Sequence, residues 1–134
     1  MNMYEELAMM HLTRNGKRSV FVCPQYEIDK RWACPDFVAL DFESKKVWVV
    51  EVSGDDMPDK LLKKVLDREN QWFKRLKREL QQSKVVNDSW DFQVMLYIRR
   101  EAAKRFEEKL GDVEDVEIRV FEKNGFPWEP EFWK

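Results

Sequence analysis

The chain has 134 residues, of which 43% are hydrophobic and 13% aromatic, which is enough apolar material for one domain, residues 1–134, with its own core. A formal net charge of −2 and a pI of about 5.6 argue against a protein covered in positive charge for nucleic acid. The sequence has neither a signal-peptide pattern nor an apolar run of about 18 residues, so we expect a soluble, cytoplasmic protein without a membrane span.

The first half of the chain is predicted to form a helix, a short strand and a β-hairpin. The helix spans 3–14 because its apolar residues recur at helical spacing, and Gly16 follows as a stop signal. Those apolar residues are Tyr4, Leu7, Ala8, His11 and Leu12. The strands are predicted over 18–23, 36–42 and 47–53, with a polar loop at 24–33 and a turn at 43–46.

The second half alternates helices and strands. Breakers from Gly54 to Pro58 precede a long predicted helix, about 59–82, with Asp59 in its cap region. A strand over 92–99 reads as buried on both faces, because its residues form a continuous apolar run. A helix over about 100–110, ended by Gly111, and a strand over 116–122 follow. This order predicts an α/β domain with a mixed sheet flanked by helices.

Two carboxylates stand at the ends of the hairpin strands. Asp36 opens the first strand and Glu51 closes the second, so antiparallel pairing would place both at the same end of the sheet. Together with the Val52 carbonyl they offer hard oxygen ligands for Mg²⁺ or Mn²⁺, which can activate a water molecule and stabilise charge on a phosphate. The alternative is two surface carboxylates that pair with nearby Lys or Arg.

These residues resemble the PD-(D/E)xK nuclease superfamily, the restriction-endonuclease-like fold. Pro35-Asp36 and Glu51-Val52-Ser53 match its motif, and Glu5, Leu12 and Gly16 match the first helix of Holliday-junction resolvases. The resemblance covers roughly residues 3–99. It implies an α-β-β-β-α-β core, here with an extra helix, strand and aromatic tail, and a metal held by Asp36, Glu51 and Val52. It also implies Glu5 as a third catalytic acid.

Ser53 departs from the family pattern, which has lysine at this position to activate the attacking water and offset phosphate charge. A serine hydroxyl can hydrogen-bond but brings no positive charge. We expect a displaced lysine, with Lys64 the preferred candidate. The other candidates are Lys30, Lys60 and Lys63. Gln71 resembles a glutamine on the same helix in RecB-like members, and the alternative for it is an ordinary exposed glutamine.

The predicted partner is DNA. Residues 60–84 carry nine basic side chains against Asp67, Glu69 and Glu79, which suits a phosphate backbone, although a solvated helix face explains the same pattern. Arg99 and Arg100 form a second basic spot. The aromatic tail, 125–134, is expected to fold back over the core, and the alternative is a homodimer contact.

Three functions remain open at this point. The first is a metal-dependent nuclease that hydrolyses DNA phosphodiester bonds, of a phage or mobile-element type. The second is a catalytically inactive nuclease-like fold that binds DNA or protein, which Ser53 favours. The third is an ordinary α/β interaction domain with incidental acids.

Overall fold

A mixed sheet organises the part of the chain that the computed structural model describes, residues 1–14, 20–24, 26 and 35–134. Its strands, in both chain and spatial order, are β1 (Val20–Pro24), β2 (Phe37–Asp41), β3 (Lys46–Val52), β4 (Asp91–Ile98) and β5 (Val116–Val120). The helices are α1 (Met3–Leu12), α2 (Asp59–Leu66), α3 (Lys74–Gln82) and α4 (Arg100–Leu110). The predicted α/β class, with a mixed sheet flanked by helices, is therefore confirmed.

The pairing of neighbouring strands changes once across the sheet, from antiparallel to parallel. β1, β2 and β3 pair antiparallel, whereas β3, β4 and β5 pair parallel. The hairpin between β2 and β3 turns at residues 42–45, where Asp41 Oδ1 accepts hydrogen bonds from the backbone N–H groups of Glu43 and Ser44. Parallel strands need a crossover connection, and the helical segments between β3 and β4, and α4 between β4 and β5, supply it.

The two faces of the sheet bury different helices. On one face, Val38, Leu40, Val47 and Val49 pack with side chains of α2, α3 and α4. On the other face, residues of the opposite strand parity, such as Phe37 and Val50, pack with α1. β4 contributes to both clusters, which confirms that it is buried on both faces. Because side chains alternate between the two faces along each strand, the position of any β2 or β3 residue in its strand tells which face it lies on.

The single long helix predicted over 59–82 is wrong. α2 ends at Leu66, and a π-helical segment, Glu69–Phe73, precedes α3. In an uninterrupted helix, Glu69 would lie four residues from both Val65 and Phe73, on the face that packs against the sheet. The break leaves Glu69 exposed while Val65 and Phe73 stay buried, so it avoids burying an unpaired charge.

The first helix is confirmed near its predicted bounds. Asn2 Oδ1 accepts from the Glu5 N–H at 2.9 Å, and the Glu5 carboxylate accepts from the Asn2 N–H at 3.3 Å, which together form a capping box. Leu7, Ala8 and Leu12 are buried as predicted. The predicted stop at Gly16 and the first residues of the predicted strand 18–23 lie outside the described residues.

The aromatic tail folds back on the α1 side of the sheet. Phe121 begins a π-helical turn, Phe121–Gly125, and Phe132 lies in the 3₁₀ helix Pro130–Trp133. Both phenyl rings are fully buried, and Phe132 packs against His11 with ring centroids 5.2 Å apart. Trp128 and Trp133 remain exposed. None of the helices in the described ranges is long and apolar enough to span a bilayer.

The Tyr4 ring of α1 packs closely against Gly54, just after the end of β3. A Cβ on Gly54 would overlap the Tyr4 ring and would lie 2.5 Å from its Cδ2. We therefore expect Gly54→Ala to lower the free energy of unfolding by about 1–3 kcal/mol, measured by urea denaturation. In a Tyr4→Ala background the same change should cost much less. An equal cost in both backgrounds would contradict this packing.

Candidate functional site

Asp36 and Glu51 meet where β2 begins and β3 ends. The register pairs Phe37 with Val50, and one further step sets Asp36 opposite Glu51. By parity both side chains lie on the face that packs against α2, α3 and α4, in line with Val38 and Val49. The sheet therefore brings two carboxylates together at the end of an otherwise apolar column, as the sequence predicted.

The two carboxyl groups are joined by hydrogen bonds. The Glu51 side chain is hydrogen-bonded to the Asp36 carboxylate and also accepts from the Asp36 backbone N–H. Asp36 Oδ2 in addition accepts from the Val52 N–H at 2.8 Å. Glu51 is only 8% exposed. Burial, with the Asp36 charge beside it, raises the pKa of Glu51 well above its usual range, and the charge of Lys64 partly opposes this rise.

The residue opposite the Val52 carbonyl is Pro35, which has no N–H to donate to it. Continuing the β2–β3 register sets Val52 opposite Pro35, and the Val52 N–H already points to this side, because it donates to Asp36. Proline has no N–H, so it cannot donate to the Val52 carbonyl. The Val52 carbonyl is therefore the candidate for the third oxygen of the predicted ligand set.

A cavity of about 490 Å³ opens beside this pair. The end of β3, the loop that follows it and the first turns of α2 form its wall. The described residues that line it are Asp36, Glu51, Val52, Ser53, Asp55, Met57, Pro58, Asp59, Lys60, Leu61 and Lys64. Sequence reasoning did not single out Asp55 as a site residue, and it carried no signal beyond its place after Gly54. Asp59 is turned away toward Arg105, at 3.0 Å.

Lys64 lies on the α2 side of the cavity. It is half-buried, and its positive charge acts on Glu51. Lys60, one turn earlier on α2, also lines the cavity and is exposed. Lys63 belongs to α2 but is not among the described lining residues. The predicted lysine Lys30 lies outside the described residues.

Ser53 lies two residues after Glu51, where the resemblance leads us to expect a lysine, and its side chain brings no charge. Its hydroxyl accepts a hydrogen bond from the Asp55 N–H at 3.1 Å, and its own N–H donates to the Tyr97 carbonyl at 3.0 Å. Both bonds fix the path of the chain as it leaves β3. Ser53 therefore shapes the cavity wall, and a positive charge near Glu51 comes from α2.

Glu5 and Gln71 are not brought into this cavity. Glu5 belongs to α1, which covers the opposite face of the sheet, and its carboxylate caps that helix. Its neighbour Tyr4 nevertheless packs on Gly54, so the first turn of α1 lies beside the end of β3. Gln71 is half-buried in the π-helical segment. Their predicted catalytic roles remain predictions.

The predicted basic surface is smaller than the count of nine implies. Arg68 is engaged with Asp115 at 2.5 and 2.8 Å. Six of the nine side chains are exposed on or next to α2 and α3, namely Lys60, Lys63, Lys74, Lys77, Arg78 and Lys84. Because Lys60 also lines the cavity beside Asp36 and Glu51, the basic surface extends to the candidate site.

Comparison of the chain with protein-family models, curated proteins and solved structures gives no match. Within the described residues there is also no group of three or more His, Cys, Asp or Glu side chains arranged to hold a metal ion. The candidate ligands are therefore two carboxylates and one backbone carbonyl. Function has to be inferred from this geometry.

The raised pKa of Glu51 predicts a pH-dependent stability. A carboxyl whose pKa is higher in the folded state stabilises the fold below its unfolded pKa, near 4.5. That contribution is lost as pH rises through the folded pKa. Glu51→Gln should therefore match the wild type at low pH and become more stable than it as pH rises toward 8, in metal-free urea denaturation. Glu108→Gln, exposed on α4, is the control and should show no such trend.

Proposed function

We propose that this protein is a metal-dependent nuclease that hydrolyses DNA phosphodiester bonds, with Asp36, Glu51 and the Val52 carbonyl as ligands of Mg²⁺ or Mn²⁺. The observation that carries the proposal is the buried, hydrogen-bonded pair of Asp36 and Glu51 at the wall of an open cavity. A protein core gains nothing from two adjacent carboxyls, because at least one must stay protonated or find a cation.

The residues present fit a hard divalent cation. All three donors are oxygens, which Mg²⁺ and Mn²⁺ prefer. Protonation of Glu51 would relieve the repulsion from Asp36, and a bound divalent cation would do the same with two positive charges instead of one. A bound Mg²⁺ would lower the pKa of a water molecule and stabilise charge on a phosphate oxygen.

We propose that Lys64 supplies the positive charge that the motif lysine of the superfamily would supply. It reaches the carboxylate pair from α2, whereas Ser53 approaches from β3 and is hydrogen-bonded to Asp55. An ammonium group there can donate a hydrogen bond to a phosphate oxygen or hold the attacking water beside Glu51. Lys60 continues the positive charge toward solvent, where the phosphates on either side of the scissile bond would lie.

Membership of the PD-(D/E)xK superfamily is part of the same proposal. A helix, three antiparallel strands, a helical crossover and a parallel strand follow one another here in the order which the resemblance implies. The motif acids stand at the ends of its second and third strands. The exposed lysines and Arg78 of α2 and α3 favour DNA as the partner, read through its backbone.

The alternative is an inactive nuclease-like fold that binds DNA or protein. Two observations favour it: Ser53 brings no charge to the motif position, and the Glu5 carboxylate is used as a helix cap. Under this alternative Asp36 and Glu51 would have no catalytic role, and only the basic surface would take part in binding.

Metal binding should be visible without any substrate. Added Mg²⁺ or Mn²⁺ should raise the melting temperature at pH 8 and lose this effect toward pH 5, because the cation competes with the proton on Glu51. Saturation at one hundred times the dissociation constant would add about 2.7 kcal/mol. Glu51→Gln and Asp36→Asn should abolish the shift, whereas Glu108→Gln should keep it. An unchanged shift in both site variants would remove the proposed ligands.

Cleavage is tested with labelled single-stranded, duplex and four-way-junction DNA in Mg²⁺ and in Mn²⁺. We expect metal-dependent cleavage of at least one substrate, lost in Asp36→Asn and Glu51→Gln. Lys64→Ala should lower the rate by about 100-fold, whereas Lys109→Ala, exposed on α4 and outside the basic surface, should have little effect. Glu5→Gln and Gln71→Ala test the two remaining predicted residues.

Metal binding without cleavage of any substrate, together with DNA binding that is the same in the wild type and the site variants, would support the inactive alternative. Cleavage that survives in Glu51→Gln would contradict the proposed centre. Cleavage that is lost with Glu51→Gln but not with Lys64→Ala would keep the centre and reject the role of the lysine.

A further inference from the structure

A column of aromatic rings runs from the edge of the candidate site to the surface. Tyr4 packs on Gly54, directly after Ser53. From Tyr4 the column continues through Phe121 and Phe126 to Trp128, with successive ring centroids 5.0, 5.8 and 4.7 Å apart. Phe121 is fully buried, and exposure increases outward until Trp128, which is 71% exposed.

The outermost ring has the geometry of a stacking surface. The Trp128 indole lies at 18° to the Phe126 ring, so one of its faces is covered and the other faces solvent. The turn that carries it is held in place, because the Glu129 N–H donates to the Phe126 carbonyl at 3.0 Å and the Trp133 indole N–H donates to the Pro127 carbonyl at 2.9 Å. Little conformational freedom would be lost when a flat ligand stacks there.

We propose that Trp128 is a platform for an unpaired nucleobase of the nucleic acid that occupies the candidate site, an inference which rests on the proposed function. The exposed indole face is flat and uncharged, and every base offers a matching π-face. A base inside a continuous duplex is covered on both faces by its neighbours, so only a single-stranded, frayed or branched substrate can place a base here.

The position and length of the column suit this occupant. Arg99, at the end of β4, donates to the Tyr4 hydroxyl at 3.1 Å and pairs with Glu122 at 3.2 Å, so polar contacts hold the inner end of the column in place. Three ring-to-ring steps, none longer than 5.8 Å, separate Tyr4 from Trp128, and a strand of a few nucleotides can cover this length. The platform would thus hold a base a few nucleotides from the bond to be cut.

The test measures binding affinity in the presence of a chelator, so that no substrate is cleaved. The probes are short single strands of DNA and of RNA, an abasic strand of the same length, and a duplex closed by a hairpin at each end. Trp128→Ala should weaken binding of both single strands by about tenfold, and Trp128→Phe should restore most of it. Binding to the closed duplex and the abasic strand should be unchanged. Stacking releases no counterions, so the salt dependence of single-strand binding should also be the same in Trp128→Ala.

Phe42 supplies the matched control. It is an exposed aromatic at the hairpin turn, the opposite end of β3 from Glu51, so Phe42→Ala should leave single-strand binding unaltered. Equal affinity of Trp128→Ala and the wild type for single strands would overturn the platform, as would an equal loss on the closed duplex. If sedimentation shows that the wild type is a dimer and that Trp128→Ala is not, the indole would instead contact a second copy of this chain, and the proposal would also be overturned.

The outcomes separate this inference from the nuclease proposal. If metal-dependent cleavage is found and binding does not depend on Trp128, the platform is rejected and the nuclease stands. If binding depends on Trp128 but no substrate is cleaved, the nuclease is rejected while the platform stands on a DNA- or RNA-binding protein. Absence of binding to any of the probes would overturn the platform.

Discussion

The contact between Asp36 and Glu51 is the constraint on which the candidate site depends. Two carboxyl groups share hydrogen bonds at the end of a hairpin, with Glu51 almost fully buried. Such an arrangement is costly unless a proton or a cation balances the charge. Two neighbouring features complement it: Pro35 cannot donate a hydrogen bond to the Val52 carbonyl, and Lys64 lines the same cavity from α2.

The separation of the two sheet faces explains how this site can exist beside a packed core. Asp36 and Glu51 continue the column of Val38 and Val49 but lie beyond the point where α2 covers the sheet, so the column ends in a cavity. Residues of the other parity pack beneath α1 and the tail. α1 thus supports the end of β3 from behind, through Tyr4 and Gly54, without lining the cavity.

The break between α2 and α3 has an electrostatic cause. The break between α2 and α3 leaves Glu69 in solvent and leaves Arg68 free to engage Asp115. A regular helix of the same length would have placed an acid against the sheet. The break also separates Lys64 from Gln71, so that the two no longer lie on one continuous helix face.

Local patterns in the sequence determined most of the elements. Apolar periodicity located α1, α4 and the strands, and the antiparallel hairpin alone placed Asp36 beside Glu51. What the sequence left open were contacts between residues far apart in the chain. The sequence preferred Lys64 to Lys60, but only the packing of α2 on the sheet sets the distance of either lysine from Glu51. The family resemblance suggested a role for Glu5, but only the tertiary structure decided which face of the sheet α1 would cover. The aromatic column likewise joins Tyr4 to Trp128 across almost the whole chain, and no local pattern carries that information.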